Sequence, residues 1–289
     1  MPKKRALVTG VTSGIGREFA LGLVRLGYDL IVIARNEAKV ADLRREAVTL
    51  RADIELDFHH ADLSLVASTQ AAVDEVIANV DTLDVVYFSA ALVPSTFQLT
   101  SEGIERCFAT SYLSRVVITE AVLPALLRGD DRLLLSVASP GMKARVDFDD
   151  VNFEKRPYKT MGVLGQFQHA NDVYFTDLAE RCRSDGLRAL VYHPGVVDTP
   201  IHQHWSGAVG FFMRTLMRPM MISAEQSASV PLRVVEGAIT PDTPLFNHKG
   251  KSLPIPAGVQ DKAYRDRVVA FSRDLIARVS GSERHPGYL

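Results

Sequence analysis

Cysteine is scarce in this sequence, since Cys107 and Cys182 are the only two in 289 residues. They form neither a disulfide framework nor a metal-ligand spacing. The two histidines of His202-Gln203-His204 lack a third ligand at a recognisable spacing. We therefore expect no metal site and a protein that works in a reducing compartment.

An excess of charge of either sign is also missing. The chain has 33 lysines and arginines against 34 aspartates and glutamates, which gives a net charge of −1. No global field would attract nucleic acid or an anionic membrane, so an anion site must be local. The start has no long apolar signal segment, and the apolar stretch near residues 205–222 is too interrupted to span a bilayer. We expect no nucleic-acid partner, no transmembrane segment and a cytoplasmic location.

Repeats, linkers and low-complexity tracts are absent too, which predicts a single domain over residues 1–289. Apolar runs of strand length alternate with helix-compatible segments. The apolar runs lie at 6–8, 30–34, 85–90, 133–138, 187–193 and 244–246, and the more polar residues 55–60 are also predicted to form a strand. Continuously apolar strands that alternate with helices predict an α/β fold: a doubly wound parallel sheet of Rossmann type, in three layers, with ligands at the carboxyl ends of the strands.

Start and stop signals suggest where the helices lie. Ser64 should cap a helix that continues to residue 79, and a helical region over 101–127 should break or end near Pro124. Ser223 should begin another helix, and residues 261–279 should form the last one. The stretch 201–240 is interpreted as a substrate lid, with plain packing or a membrane-surface helix as the alternatives.

The most informative stretch is the glycine-rich turn after the first apolar run. Gly10 can adopt a backbone angle closed to other residues, Gly14 lets the main chain approach a pyrophosphate, and Gly16 lets helix and strand pack closely. The helix that starts here presents free N–H groups and the positive end of its dipole to an anion. We assign to this phosphate-binding corner Gly10, Thr12, Ser13, Gly14, Ile15, Gly16 and Arg17.

Together these features resemble the short-chain dehydrogenase/reductase family, and more closely its retinol-dehydrogenase-like and carbonyl-reductase-like members, over roughly residues 5–280. The glycine turn matches the family's motif, Asp62-Leu63 its adenine contact, and residues 194–199 the segment that flanks the nicotinamide. The resemblance implies a nicotinamide cofactor. Its further contacts would be Asp62, Leu63, Ala90, Pro194, Gly195, Val197 and Thr199.

Charge at the end of the second strand indicates which nicotinamide cofactor is bound. An acidic residue there would accept hydrogen bonds from a ribose 2′-hydroxyl and repel a 2′-phosphate. This chain instead has Arg35 followed by Asn36, with Arg17 just after the glycine turn. Guanidinium groups suit a phosphate by geometry and by permanent charge. We therefore predict NADP(H) rather than NAD(H).

The resemblance fails on the catalytic side. The family uses a tyrosine, a lysine four residues later, a serine and an asparagine. Ser139 stands where the family has its serine, but none of the eight tyrosines is followed by lysine at that spacing. An ungapped alignment of the helix pattern at 170–179 places Leu164 at the tyrosine and Gln168 at the lysine, and Ser111 takes the asparagine position. Gln168 can still hydrogen-bond the cofactor ribose.

Leu164 cannot donate a proton, so the usual general acid is missing. Tyr158 and His169 are the nearest candidate substitutes, beside Ser139. Alternatively, the hydride acceptor is so strongly polarised that it needs little proton assistance, or no redox step occurs.

Three functions remain open from the sequence. The first is an atypical NADP(H)-dependent reductase of an apolar small molecule. The second is a non-redox cyclase or lyase of specialised metabolism that keeps NADP(H) as a structural cofactor. The third is a catalytically silent NADP(H)-binding protein or sensor. The sequence does not identify the substrate and is compatible with a homo-oligomer.

Overall fold

The computed structural model describes residues 3–93, 95–197 and 221–280. Within these ranges seven parallel strands form one sheet in the order β3-β2-β1-β4-β5-β6-β7. The strands are β1 Arg5–Thr9, β2 Asp29–Ala34, β3 Leu56–His60, β4 Val85–Phe88, β5 Leu133–Val137, β6 Arg188–His193 and β7 Leu245–Asn247. The predicted doubly wound sheet is confirmed, with its switch point between β1 and β4.

Helices cover both faces of this sheet. They are α1 Gly14–Arg25, α2 Glu37–Leu50, α3 Val66–Asn79, α4 Arg106–Leu127, α5 Thr160–Arg181, α6 Ala224–Val235, α7 Ala257–Gln260 and α8 Lys262–Ser280. Alternate strand residues face opposite layers. Leu7 of β1 packs with α3, α4, α5 and α8, whereas Ala6 and Val8 pack with α1, α2 and α6. Burial on both faces explains why the inner strands are apolar without alternation, whereas the edge strand β3 is only partly buried.

Helix α4 corrects two expectations. It begins at Arg106 because the Glu105 carboxylate accepts the N–H groups of Cys107 (3.0 Å) and Phe108 (2.7 Å). It runs through Pro124, which is exposed in the last turns, and ends at residue 127. Its irregularity is instead a π-helical turn at Ala109–Leu113.

Helix α4 is also the one segment of the described chain that is long and apolar enough to cross a membrane by length and composition. In the fold, 72% of that stretch is buried. Its apolar character is therefore explained by its place in the core.

The expected Ser64 cap of α3 is wrong. Ser64 directs both its N–H and its hydroxyl to the Asp62 carboxylate, at 2.9 and 2.8 Å. Glu102 caps the helix instead, accepting the N–H groups of Val66 (2.6 Å) and Ala67 (2.9 Å). By contrast, Ser223 forms the predicted helix start, in a capping box with Gln226.

The predicted lid over 201–240 is wrong for residues 224–235. These residues form α6, a helix of the layer that covers one face of the sheet. It packs so closely on α1 that a Cβ on Gly22 would lie 2.3 Å from a Leu232 methyl carbon. Its buried side chains join the cluster around β1 and β2. Residues 201–220 of the predicted lid lie outside the described residues.

Replacing Glu102 by alanine should lower the free energy of unfolding by about 1–2 kcal/mol, because two N–H groups of α3 lose their acceptor. Urea denaturation followed by circular dichroism measures the change. The control is Glu236→Ala, at an exposed position after α6, which should change stability by less than about 0.5 kcal/mol. Equal effects of the two substitutions would contradict the cap.

Candidate active site

The glycine turn brings three backbone segments into direct contact. Gly10 has a φ of 71°, and a Cβ there would lie 2.2 Å from the Ala90 nitrogen. A Cβ on Gly16 would lie 2.2 Å from the Gly10 carbonyl oxygen. The Ser13 side chain forms no cap hydrogen bond to the first N–H groups of α1. The corner formed by residues 10–16 therefore has the shape and the free donors that a phosphate group requires.

The two predicted phosphate arginines differ in their availability. Arg17 forms an ion pair with Glu46 of α2. Arg35, at the end of β2, leaves 54% of its side chain exposed and lies 3.7 Å from an Asp62 carboxylate oxygen. Asn36 caps α2, because its carboxamide oxygen accepts the Lys39 N–H at 2.9 Å. Arg35 is thus the more accessible cation, and Asn36 has a structural role that the sequence analysis did not assign.

Asp62 follows β3 at the same edge of the sheet. Burial raises the pKa of Asp62, but hydrogen bonds from Ser64 and the nearby Arg35 cation lower it by a larger amount. The pKa of Asp62 therefore lies below its ordinary value. The neighbouring Leu63 is buried. The predicted adenine contact therefore combines a charged carboxylate with an apolar side chain.

On the catalytic side, α5 holds the loop that follows β5 at two successive turns. The Gln168 side-chain oxygen accepts the Ser139 N–H at 2.8 Å, and an Asp172 carboxylate oxygen accepts the Gly141 N–H at 2.7 Å. Leu164, Gln168 and Asp172 are spaced by four residues and share a helix face. The structure therefore places Gln168 against Ser139, with the Gln168 amide nitrogen left as a donor, and Leu164 one turn earlier on the same helix face.

Ser111 lies in the π-helical turn of α4 and is fully buried. Its hydroxyl accepts the Leu92 N–H at 3.0 Å, and its carbonyl accepts the Asn171 amide at 3.0 Å. Ser111 thus fastens the segment after β4 to α4 and α5.

Tyr158 is held at the start of α4. Its hydroxyl donates to Glu105 at 2.8 Å, and its ring packs edge-on against Phe97 and Phe153. Burial and the Glu105 carboxylate raise the pKa of Tyr158 far above its ordinary value. The prediction of Tyr158 as a substitute acid is therefore corrected, because a phenol that donates to a carboxylate keeps its proton.

His169 is only 2% exposed, and neither ring nitrogen has a partner in the described chain. Burial and the nearby Arg145 lower its pKa to about 4. The imidazole is therefore neutral at neutral pH, so it cannot serve as a cationic acid there.

Arg115 is the residue that sequence reasoning missed. It is 2% exposed, and its guanidinium donates to Ser136 (2.6 Å), Asn171 (3.1 Å) and the Ala90 carbonyl (3.0 Å). Its acceptors are all neutral, and burial lowers the pKa of Arg115 to about 9, which leaves it charged at neutral pH. An arginine inside the apolar run 113–118 was the signal available in the sequence.

The segment after β6 is held by a hydrogen bond within itself and by contacts with residues 222 and 227. Gly195 has a φ of 79°, and its N–H donates to His193 Nδ1 at 3.0 Å. The Pro194 carbonyl accepts the Ser227 hydroxyl at 3.2 Å, and Val197 forms a β-bridge with Ile222. Thr199 and the two histidines at 202 and 204 lie outside the described residues.

A parallel sheet with a glycine corner at its switch point and a serine loop after β5 defines a Rossmann-type dehydrogenase class. Residues 4–148 match the sequence profile described as short chain dehydrogenase. Human retinol dehydrogenase 13 is 25% identical over 295 residues, covering 98% of this chain and 88% of that protein. The chain belongs to the short-chain dehydrogenase family, in its retinol-dehydrogenase-like branch.

Solved structures agree with this fold. An uncharacterised protein of Mycobacterium paratuberculosis superposes with a TM-score of 0.71 at 22% identity, covering 94% of this chain and 93% of that one. A short chain dehydrogenase of Shigella flexneri complexed with NADP has a TM-score of 0.65 at 20% identity, covering 85% and 97%. At these identities the likeness concerns the fold.

Replacing Asp172 by asparagine should remove a pH-dependent loss of stability. Burial raises the pKa of Asp172 to about 7, so the folded chain retains a proton that the unfolded chain releases from about pH 4 upward. The free energy of unfolding of the parent should therefore fall relative to the variant by on the order of 2 kcal/mol between pH 5 and pH 8.

Urea titrations across this pH range measure the difference between the two proteins. Asp149→Asn, at an exposed position in the loop between β5 and α5, is the control and should run parallel to the parent. Parallel curves for the parent and Asp172→Asn would refute a protonated buried carboxyl.

Proposed function

We propose that this protein is an NADP(H)-dependent reductase that acts on an apolar small molecule. The observation that carries the proposal is the glycine corner, where α1 presents its first N–H groups at the carboxyl end of β1 and the exposed Arg35 follows the adjacent β2. Membership of the short-chain dehydrogenase family supports nicotinamide chemistry. The Shigella flexneri relative complexed with NADP supports the phosphorylated form of the cofactor.

The described residues fit such a cofactor. The corner at 10–16 would hold its pyrophosphate, and Arg35 its 2′-phosphate, by a charge-assisted pair. Asp62 would lie toward the adenosine, and the Gln168 amide nitrogen would donate to the nicotinamide ribose. The segment 194–197 would flank the nicotinamide. When bound, NADPH supplies the hydride.

The protein's own groups then limit the substrate. Ser139 can orient a carbonyl or a related acceptor through its hydroxyl, but Leu164 offers no proton. Tyr158 is bound to Glu105, and His169 is neutral. Because general-acid help is worth about 10²–10⁴-fold, its absence favours a strongly polarised acceptor, such as an iminium, over a simple ketone.

Cofactor preference should follow Arg35. We expect NADPH to bind at least about tenfold more tightly than NADH, because a guanidinium–phosphate pair contributes about 1.5–3 kcal/mol. Arg35→Asp should abolish or reverse that preference. Fluorescence titration of both reduced cofactors measures it, with Arg45→Asp, at an exposed position on α2, as the control. Equal or tighter NADH binding by the parent would contradict the assignment.

Restoring the tyrosine–lysine pair should create ketone reduction. In the variant Leu164→Tyr with Gln168→Lys, the lysine cation lowers the pKa of the new phenol, so NADPH-dependent reduction of apolar ketones should rise by about 10²-fold or more. Loss of reduced-nicotinamide absorbance is the readout. Leu164→Phe with Gln168→Lys is the matched control, since it lacks only the hydroxyl.

A folded, NADPH-binding double variant as inactive as its phenylalanine control would show that these positions do not face the reacting carbon. On the parent's own substrate, turnover that needs NADP(H) but leaves its oxidation state unchanged would overturn the reductase in favour of a non-redox cyclase or lyase. Ligand-dependent partner binding without turnover would favour a sensor.

A further inference from the structure

A cleft of about 820 Å³ opens beside the candidate active site. Its walls are residues 140–145 of the loop after β5, His169 of α5 and residues 253–258. The cleft begins one residue beyond Ser139 and one residue beyond Gln168, so it shares two structural elements with the site. We call it the serine-loop cleft.

The lining is apolar apart from three side chains. Met142, Leu253 and Ile255 provide much of its aliphatic surface. The polar groups are His169, Lys143 and Arg145, and the lining contains no acidic residue. A ligand that fits this surface has an apolar body and a negative charge.

His169 is the buried polar group of the cleft. It is 98% buried, yet both ring nitrogens lack a partner in the described chain. A buried polar group without a hydrogen bond is destabilising, so a lining histidine in this state is suited to a ligand that completes its bonds. A neutral imidazole offers one N–H donor to such a ligand.

The loop that carries the two cations is fixed at both ends. Its Gly141 N–H is bound by Asp172 (2.7 Å), and its Val146 N–H is bound by the Tyr264 hydroxyl (2.9 Å). The Arg145 guanidinium lies over the Tyr264 ring, 4.6 Å from its centroid. The loop backbone and the Arg145 side chain are therefore held in place before any ligand arrives, which lowers the entropic cost of binding.

We propose that the serine-loop cleft binds an apolar monocarboxylate, with His169 donating to the carboxylate and Arg145 and Lys143 providing the opposite charge. Binding in the cleft does not depend on the proposed function, and only the identification of this ligand as the substrate rests on it. With that identification, the molecule reduced beside Ser139 has an acidic end. The aliphatic part of the ligand lies against Met142, Leu253 and Ile255.

Isothermal titration calorimetry with octanoate tests the proposal on the full chain, with and without NADP⁺. Octanoate should bind at least about tenfold more tightly than octan-1-ol, because only the carboxylate forms charge-assisted bonds. His169→Phe keeps a ring and removes the nitrogens, and Arg145→Gln removes the charge. Each should weaken octanoate by about tenfold, and Arg145→Gln should leave octan-1-ol unchanged.

Arg45→Gln is the matched control for a lost surface charge and should leave octanoate binding unchanged. Arg145 is exposed, so its variant tests the proposal even if His169→Phe fails to fold. Octanoate that does not bind at millimolar concentration, or binds equally well to both variants, would overturn the cleft. NADPH titration of the same samples separates the two ideas: octanoate binding without NADPH binding refutes the reductase and retains the cleft, and the reverse result refutes the cleft alone.

Discussion

The close approach of the first glycine turn to the end of β4 is the contact on which the site depends. Gly10 has no room for a Cβ, because that atom would lie 2.2 Å from the Ala90 nitrogen. The Ala90 carbonyl, on the other side of the same residue, accepts a hydrogen bond from the buried Arg115. Because Arg115 also reaches Ser136 and Asn171, one residue connects the phosphate corner to β5 and to α5.

The two halves of the site are built in different ways. The phosphate corner relies on backbone N–H groups at the start of α1, which the Ser13 side chain does not cap. On the catalytic side, the polar side chains bind each other or the main chain. Gln168 holds Ser139, Ser111 holds Leu92, and Tyr158 is bound to Glu105. Tyr158 is thus engaged by a carboxylate, the neutral His169 is not a cationic acid, and Leu164 has no proton to give, which is why we propose a substrate that needs little proton transfer.

The sequence was sufficient where the determinants are local. Apolar runs located the strands of the sheet, and the glycine spacing located the corner. It failed where the partner is distant in sequence: Glu102 caps a helix start 35 residues away, and Arg115 is explained only by acceptors on three other elements. The predicted lid extended from the apolar stretch near 205–222 into 224–235, because the packing partner of α6, Gly22 on α1, is not visible in the local pattern.

A crystal structure of the protein with NADP⁺ tests the central claim most directly, because it shows which side chains surround the nicotinamide C4. The account predicts the pyrophosphate on the N–H groups of 14–16, the 2′-phosphate on Arg35, and Leu164 where a proton-donating hydroxyl would stand. A tyrosine hydroxyl facing C4, or a dinucleotide bound away from the glycine turn, would contradict it.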